Sequence, residues 1–273
     1  MSIIVKGNKL VYFSRDDWKV EIPEEILFIG DRAFNGFGGS TTLREVILHD
    51  EIKSIGKGAF QYCENLRQVT IPKNITWLKD KTFCGCERLS KVTLPENIRK
   101  IGSSAFGWCR ALESINLPHN LRELGSHAFI DTGLVEIVLP DNILEIKELT
   151  FAGCEKLKKV TFPKNLTKIF RNAFSDCESL TEVILPDRLL IISEKAFTSC
   201  GMLQHVVVSD GTTTIGKGAF SLCTKLNCIE LPDTIFEIAD DAFYGSGAVV
   251  IKAPVGSYAI QFAKDHGINY VEV

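Results

Sequence analysis

Long apolar runs are missing from this 273-residue chain, and none approaches the roughly 18 residues that span a bilayer. Membrane insertion is therefore not expected. Positive charge is not in excess: Lys and Arg total 31 against 34 Asp and Glu, for a net charge of -3. That balance argues against a nucleic-acid partner. The first 20 residues hold no apolar stretch followed by small residues, so no export signal is expected in the chain as given; its location stays unassigned, cytoplasmic only for the chain as given. The motifs H-E-x-x-H, G-x-S-x-G, G-x-G-x-x-G and the P-loop are missing too. With 45% hydrophobic and 24% charged residues, the composition is that of a folded chain rather than a disordered one.

What is abundant is periodic. Phe recurs at 34, 60, 83, 106, 129, 151, 174, 197, 220 and 243, with intervals of 22 or 23 except the first, which is 26. Eight of these ten follow Ala; Thr82 and Thr150 precede the others. Counting from the Phe of each unit, Cys falls at +3 as Cys63, Cys86, Cys109, Cys154, Cys177, Cys200 and Cys223. Leu follows at +6, Val or Ile at +9 and an aliphatic residue at +11. All nine prolines occupy +12, where His49 and Ser209 are the substitutes. Ile or Leu returns at +15 and +18. The first unit gains three residues around Gly36-Phe37-Gly38-Gly39-Ser40, a Gly-rich loop. The Phe129 and Phe243 units each lose one residue and lack the +3 Cys.

The run from +6 to +11 alternates like a short half-buried strand. Pro at +12 has no amide donor and ends the ladder at the same point each time. The A-F-x-x-C segment reads as one helical or 3₁₀ turn. A 23-residue unit has too little apolar surface to fold alone, and stacking such units buries a continuous core. The frame supports one domain, 1–273. Residues 1–19 form a capping hairpin about Gly7-Asn8, with arms Ser2 to Leu10 and Val11 to Val20. Residues 20–255 carry about ten repeats. Residues 256–273 form a closing cap: a helix from Tyr258 to His266 between Ser257 and Gly267, then a strand from Ile268 to Val273.

The pattern L-x-x-V-x-L-P-x-x-I-x-x-I-G-x-x-A-F-x-x-C resembles the BspA-type (treponemal-type) leucine-rich repeat family. So does the closing Gly256-Ser257-Tyr258-Ala259 with Ala263-Lys264 and Gly267-Ile268. The expected fold is a right-handed leucine-rich-repeat solenoid of the α/β class, mostly β with short helical or 3₁₀ turns. The resemblance implies a non-enzymatic interaction protein. Members are mostly bacterial surface or secreted proteins, some acting in adhesion or in binding host proteins. On the chain as given, no export signal, anchor or second module is expected, a departure from that pattern.

Nine cysteines raise disulfide and metal readings. The odd count leaves at least one unpaired, and the +3 slot points into the core, where reduced thiols pack as small hydrophobes. A structural spine is favoured, with no metal, cofactor or catalytic residue assigned. Cys84 at +1 and Cys228 at +8 lie off the spine and are the expected exposed thiols. The five histidines, His49, His119, His127, His205 and His266, fall in different slots. Asn74-Ile75-Thr76 and Asn165-Leu166-Thr167 match a glycosylation acceptor, but the frame itself places those residues there.

Function rests on the surface. The +8 and +10 side chains line the open strand face. The candidate interaction ribbon is Glu136, Val138, Lys159, Thr161, Glu182, Ile184, His205 and Val207, where β-branched residues stand in a row. Strand preference alone would also place such residues there. A second candidate is the edge at +16 and +17, with Phe28, Trp77, Leu144, Leu190, Ile191 and Phe236, together with Tyr62 and Trp108 at +2. The favoured function is a protein-binding module for a protein partner, with adhesion or host contact as the role that the resemblance implies. The alternative is an intracellular scaffold or a weakly self-associating structural protein, with an enzyme a distant third.

Overall fold

The computed structural model describes residues 2–14, 17–36 and 42–273. Apart from Gly36, the expected Gly-rich loop lies outside the described residues. The fold consists of two compact units, Met1–Leu134 and Val135–Val273. In each, the repeat places two columns of short parallel strands.

The first column is the strand foreseen within +6 to +11, and it spans +8 to +10. In the first unit Lys19–Glu21, Glu45–Ile47, Gln68–Thr70 and Lys91–Thr93 pair in that order. In the second unit Glu136–Val138 pairs with Lys159–Thr161, and Glu182–Ile184, His205–Val207, Cys228–Glu230, Val250–Ala253 and Asn269–Glu272 form a separate sheet. The +9 residue points inward, as Val69, Ile137, Val183, Val206 and Ile229 are all buried. The Pro at +12 then opens a turn: its carbonyl accepts the N–H of +15, as in Ile75 to Pro72 at 3.0 Å and Leu189 to Pro186 at 3.1 Å.

The second column was not anticipated. Two-residue strands at +17 and +18 pair in parallel, for example Trp77–Leu78, Lys100–Ile101 and Glu123–Leu124 in the first unit. Five such strands pair from Glu145–Ile146 to Glu237–Ile238 in the second. A two-residue strand is too short to show alternation in a sequence.

The A-F-x-x-C segments are turns, not the helical or 3₁₀ turns expected; the α-helix among the described residues is Tyr258–His266. Their backbone follows one rule. The N–H groups of Gly58, Phe60 and Tyr62 donate to Asp80, Thr82 and Cys84 of the next coil at 2.7–2.9 Å. Those of Ala59, Gln61 and Cys63 turn back to Gly56, Gly58 and Phe60 at 3.0–3.2 Å. Reversing the amide direction at every residue requires left-handed backbone at −2 and +2. Arg32, Lys81, Ser104, His127, Leu149, Asn172 and Lys195 hold positive φ at −2; Tyr62, Trp108, Asp131, Asp176, Ser199 and Leu222 do so at +2. A non-Gly residue there costs about 1–2 kcal/mol. The cost is offset because every turn amide of the coil gains a partner.

The core is built from ladders. Phe34, Phe60, Phe83, Phe106 and Phe129 stack at 4.9–5.6 Å between centroids in the first unit. Phe151, Phe174, Phe197, Phe220 and Phe243 stack at 5.2–6.0 Å in the second. Each stack is closed by a Phe outside the repeat frame. Phe13 lies 4.9 Å from Phe34, and Phe262 of the helix lies 6.4 Å from Phe243.

The +3 thiols do more than fill space. Cys86, Cys109, Cys177, Cys200 and Cys223 each donate to the Phe carbonyl one coil back, Phe60 to Phe197, at 3.1–3.3 Å. Ser246 takes the same slot in the last repeat and donates to Phe220 at 2.7 Å.

The terminal segments hold a hairpin and a helix, and Ser257, expected as the N-cap, makes no side-chain capping hydrogen bond. The hairpin pairs Ser2–Lys6 with Lys9–Ser14 about Gly7, at φ 58. Its second arm stops at Ser14, and Lys19–Glu21 belongs instead to the parallel sheet beside Glu45–Ile47. The helix ends at Gly267, φ 64, with Lys264 and His266 in its last turn.

Phe174, fully buried between Phe151 and Phe197 at 5.2 Å, gives the first prediction. Phe174→Ala is expected to cost about 3–5 kcal/mol in denaturant unfolding. Cys177 gives the second. Cys177→Val removes the thiol's bond to the Phe151 carbonyl, which keeps the Cys154 N–H at 3.3 Å, and is expected to cost about 0.5–1.5 kcal/mol. Cys177→Ser keeps a donor and is expected to be the milder change in the same experiment.

Candidate binding face

The residues expected to form the ribbon lie on strands of the second unit. Strand alternation turns +8 and +10 outward, and Val138 and Ile184 are 65% and 58% exposed. Glu136, Lys159, Thr161 and Glu182 are exposed, whereas His205 and Val207 are half-buried. The eight residues do not share one continuous ladder. Those from Glu136 to Thr161 lie on the two-stranded sheet and those from Glu182 to Val207 on the five-stranded one.

Within the five-stranded sheet the polar side chains converge. His205 and Cys228 are register partners on adjacent strands, as are Val207 and Glu230. His205 Nδ1 is 3.3 Å from Glu182 Oε1, and Nε2 is 3.3 Å from Glu230 Oε1. Lys252 Nζ reaches the same Glu230 oxygen at 3.4 Å. The donor atoms of His205, Cys228 and Glu230 all lie within 4.8 Å of one another. Glu230 and Lys252 were not among the candidate residues. The signal for them was the repeat frame itself: residues 23 positions apart in neighbouring units become strand neighbours.

The two off-spine cysteines separate. Cys228 is half-exposed, but Cys84 is buried at 1% exposure, which corrects the expectation of a surface thiol. The +1 slot accepts polar residues yet faces inward, since Gln61, Ser175 and Ser221 are buried there too. All nine cysteines are free. Burial pushes the thiols of Cys63, Cys84, Cys86, Cys109, Cys177 and Cys200 above their ordinary value, which suppresses the reactive thiolate.

The remaining histidines are spread out. His49 Nε2 lies 3.1 Å from the carbonyls of Pro23 and Ile26. His119 pairs with Glu96 at 3.1 Å and His266 with Asp240 at 3.3 Å. Asn74 and Asn165, the acceptor-like asparagines, donate their side-chain amides to Asp50 and Asp141 carbonyls one coil back. That bond explains the recurrence of Asn in its slot.

At the second edge, Leu144, Leu190 and Phe236 are 53%, 48% and 64% exposed in the second unit. In the first unit Trp77 lies 5.1 Å beneath the Lys100 ammonium. Trp18 is also exposed, in a depression shared with Arg44, Arg67 and Lys91; its position before the frame begins concealed it.

Short parallel strands, a stacked Phe ladder and a thiol ladder in each unit define a leucine-rich-repeat solenoid. The chain belongs to the BspA type leucine rich repeat family, matching its repeat region in six copies over residues 12–134 and 124–250. It is similar to a leucine-rich repeat protein from Bacteroides ovatus, at 25% identity and TM-score 0.82, covering 92% of this chain and 69% of that one. The pneumococcal vaccine antigen PcpA shares the fold at 18% identity and TM-score 0.58, covering 94% and 79%. A leucine-rich repeat protein from Eubacterium ventriosum does so at 16% identity and TM-score 0.54, covering 89% and 77%. A comparison with curated proteins finds no match. Among the described residues, no helix is long and apolar enough to cross a membrane.

The burial pattern makes a direct prediction. Brief alkylation of the native, reduced protein is expected to modify Cys228 and to spare the eight buried cysteines until denaturant is added. Peptide mass spectrometry reads the difference, and Cys84 is the decisive position.

Proposed function

We propose that this protein is a non-catalytic protein-binding module whose open strand face in the second unit docks a protein partner, in an adhesive or host-contact role. The observation that carries this reading is the exposure of Val138 at 65% and Ile184 at 58% on regular strands. A β-branched residue presented to water gains nothing from burial, whereas the alternate polar side chains Glu136, Lys159 and Glu182 supply charges of both signs around it. A mixed-charge face with apolar centres suits a protein surface better than a polyanion. The membership in an interaction-fold family supports the same reading.

Self-association is the second reading, and the outermost strands favour it. In Ser2–Lys6, Ile3, Ile4 and Val5 are 41–45% exposed, and in Asn269–Glu272 every residue is exposed. Each strand ends its sheet, and an edge offers unpaired backbone groups to another copy.

The test is a triple variant, Val138→Lys/Ile184→Lys/Val207→Lys, compared with the wild type in capture of partner proteins from host-cell extracts. Capture is expected to fall roughly tenfold or more while circular dichroism stays unchanged. Equal capture removes the ribbon. Sedimentation showing a concentration-dependent dimer would favour the second reading instead.

A further inference from the structure

We propose that His205, Cys228 and Glu230 form a binding site for a zinc-class divalent cation on the open strand face of the second unit. The site stands apart from the protein-docking reading and does not depend on it.

The strands build the site before any ion arrives. His205 and Cys228 face each other across one ladder rung, and Glu230 lies two residues beyond Cys228 on the same face. One nitrogen, one sulfur and one carboxylate oxygen therefore converge within 4.8 Å. Two ligands each ~2.0 Å from a tetrahedral zinc ion sit about 3.3 Å apart. His205 Nε2 and Glu230 Oε1 are 3.3 Å apart, so those two atoms already span one tetrahedral edge. A thiolate needs only a slightly longer edge, because the Zn–S bond is about 2.3 Å.

The surrounding shell fits the same purpose. Glu182 Oε1 lies 3.3 Å from His205 Nδ1. A proton held on Nδ1 donates to that carboxylate and leaves the Nε2 lone pair directed at the ion, the usual carboxylate–histidine–metal relay. The mixed N, S and O donor set selects zinc or cobalt over magnesium or calcium. Thiolate and carboxylate together balance a divalent charge, and the thiol proton leaves to solvent as the ion binds. The fourth position stays open to water.

Lys252 is the competing cation, with its ammonium 3.4 Å from Glu230 Oε1 and its side chain 42% exposed. It is a flexible point charge that swings into solvent when a divalent ion takes the oxygen. A surface ion-pair network accounts for Glu182, His205, Glu230 and Lys252 but gives Cys228 no role. A metal site uses Cys228 together with Glu182, His205 and Glu230, and displaces Lys252.

The experiment is a Co²⁺ titration of the reduced 273-residue chain, followed by absorption. Expected is saturation at one ion per chain, with a thiolate-to-cobalt charge-transfer band in the near ultraviolet and the intense visible bands of tetrahedral cobalt. Zn²⁺ should bleach them. Cys228→Ser should abolish the charge-transfer band, and Cys84→Ser should retain it. Glu182→Gln should weaken binding about 10–100-fold. Circular dichroism of each variant confirms that the coils remain folded. Absence of saturable binding, or a charge-transfer band that survives Cys228→Ser, overturns the proposal.

Discussion

The structure depends on how each turn disposes of its backbone amides. Around Phe34, Phe60, Phe83 and Phe106 in the first unit and Phe151, Phe174, Phe197 and Phe220 in the second, successive N–H groups point alternately to the next coil and back into their own. A tight turn in a narrow solenoid has no room for water, so every one of those groups needs a partner inside the protein. The alternation supplies it, and it imposes the left-handed residues on either side of the Phe. Once that pattern is set, the coil spacing is uniform. The Phe rings then fall into a stack, and the thiol at +3 meets the Phe carbonyl one coil back.

The carbonyl of Phe60 shows how closely these parts are joined. It accepts the N–H of Cys63 in its own coil at 3.1 Å and the thiol of Cys86 in the next at 3.1 Å. Cysteine suits the slot because it is small, apolar enough for a fully buried site and still a weak donor. Ser246 does the same chemistry with a stronger donor in the shortened last repeat. The cysteines, which in composition suggested redox or metal chemistry, are mostly part of the backbone's hydrogen-bond accounting. Cys228 alone stands on a strand face among ionisable neighbours.

Rigid, evenly spaced strands also explain how such a fold carries function. Side chains at the same slot in neighbouring coils are held about 4.8 Å apart by strand pairing. Variation in the outward slots therefore writes a two-dimensional pattern onto a fixed grid. On this chain the pattern holds an apolar pair, Val138 and Ile184, and a polar cluster centred on His205. Neither disturbs the core, because +8 and +10 contribute nothing to the Phe or aliphatic ladders.

The repeat frame by itself determined a strand within +6 to +11, the Pro stop at +12 and the Phe and Cys ladders. Each is a local rule copied in every unit, so repetition makes it readable. Other features needed the folded chain. The second strand column is two residues wide and has no pattern of its own. The left-handed positions are filled by Lys81, Leu149 and Trp108 as readily as by Gly85, so residue type conceals them. Cys84 reads as surface because its slot holds Gln61 and Ser175, yet the turn folds that slot inward. The meeting of His205, Cys228 and Glu230 comes from residues on two coils. Only strand register, a property of packing between coils, decides that their donor atoms converge.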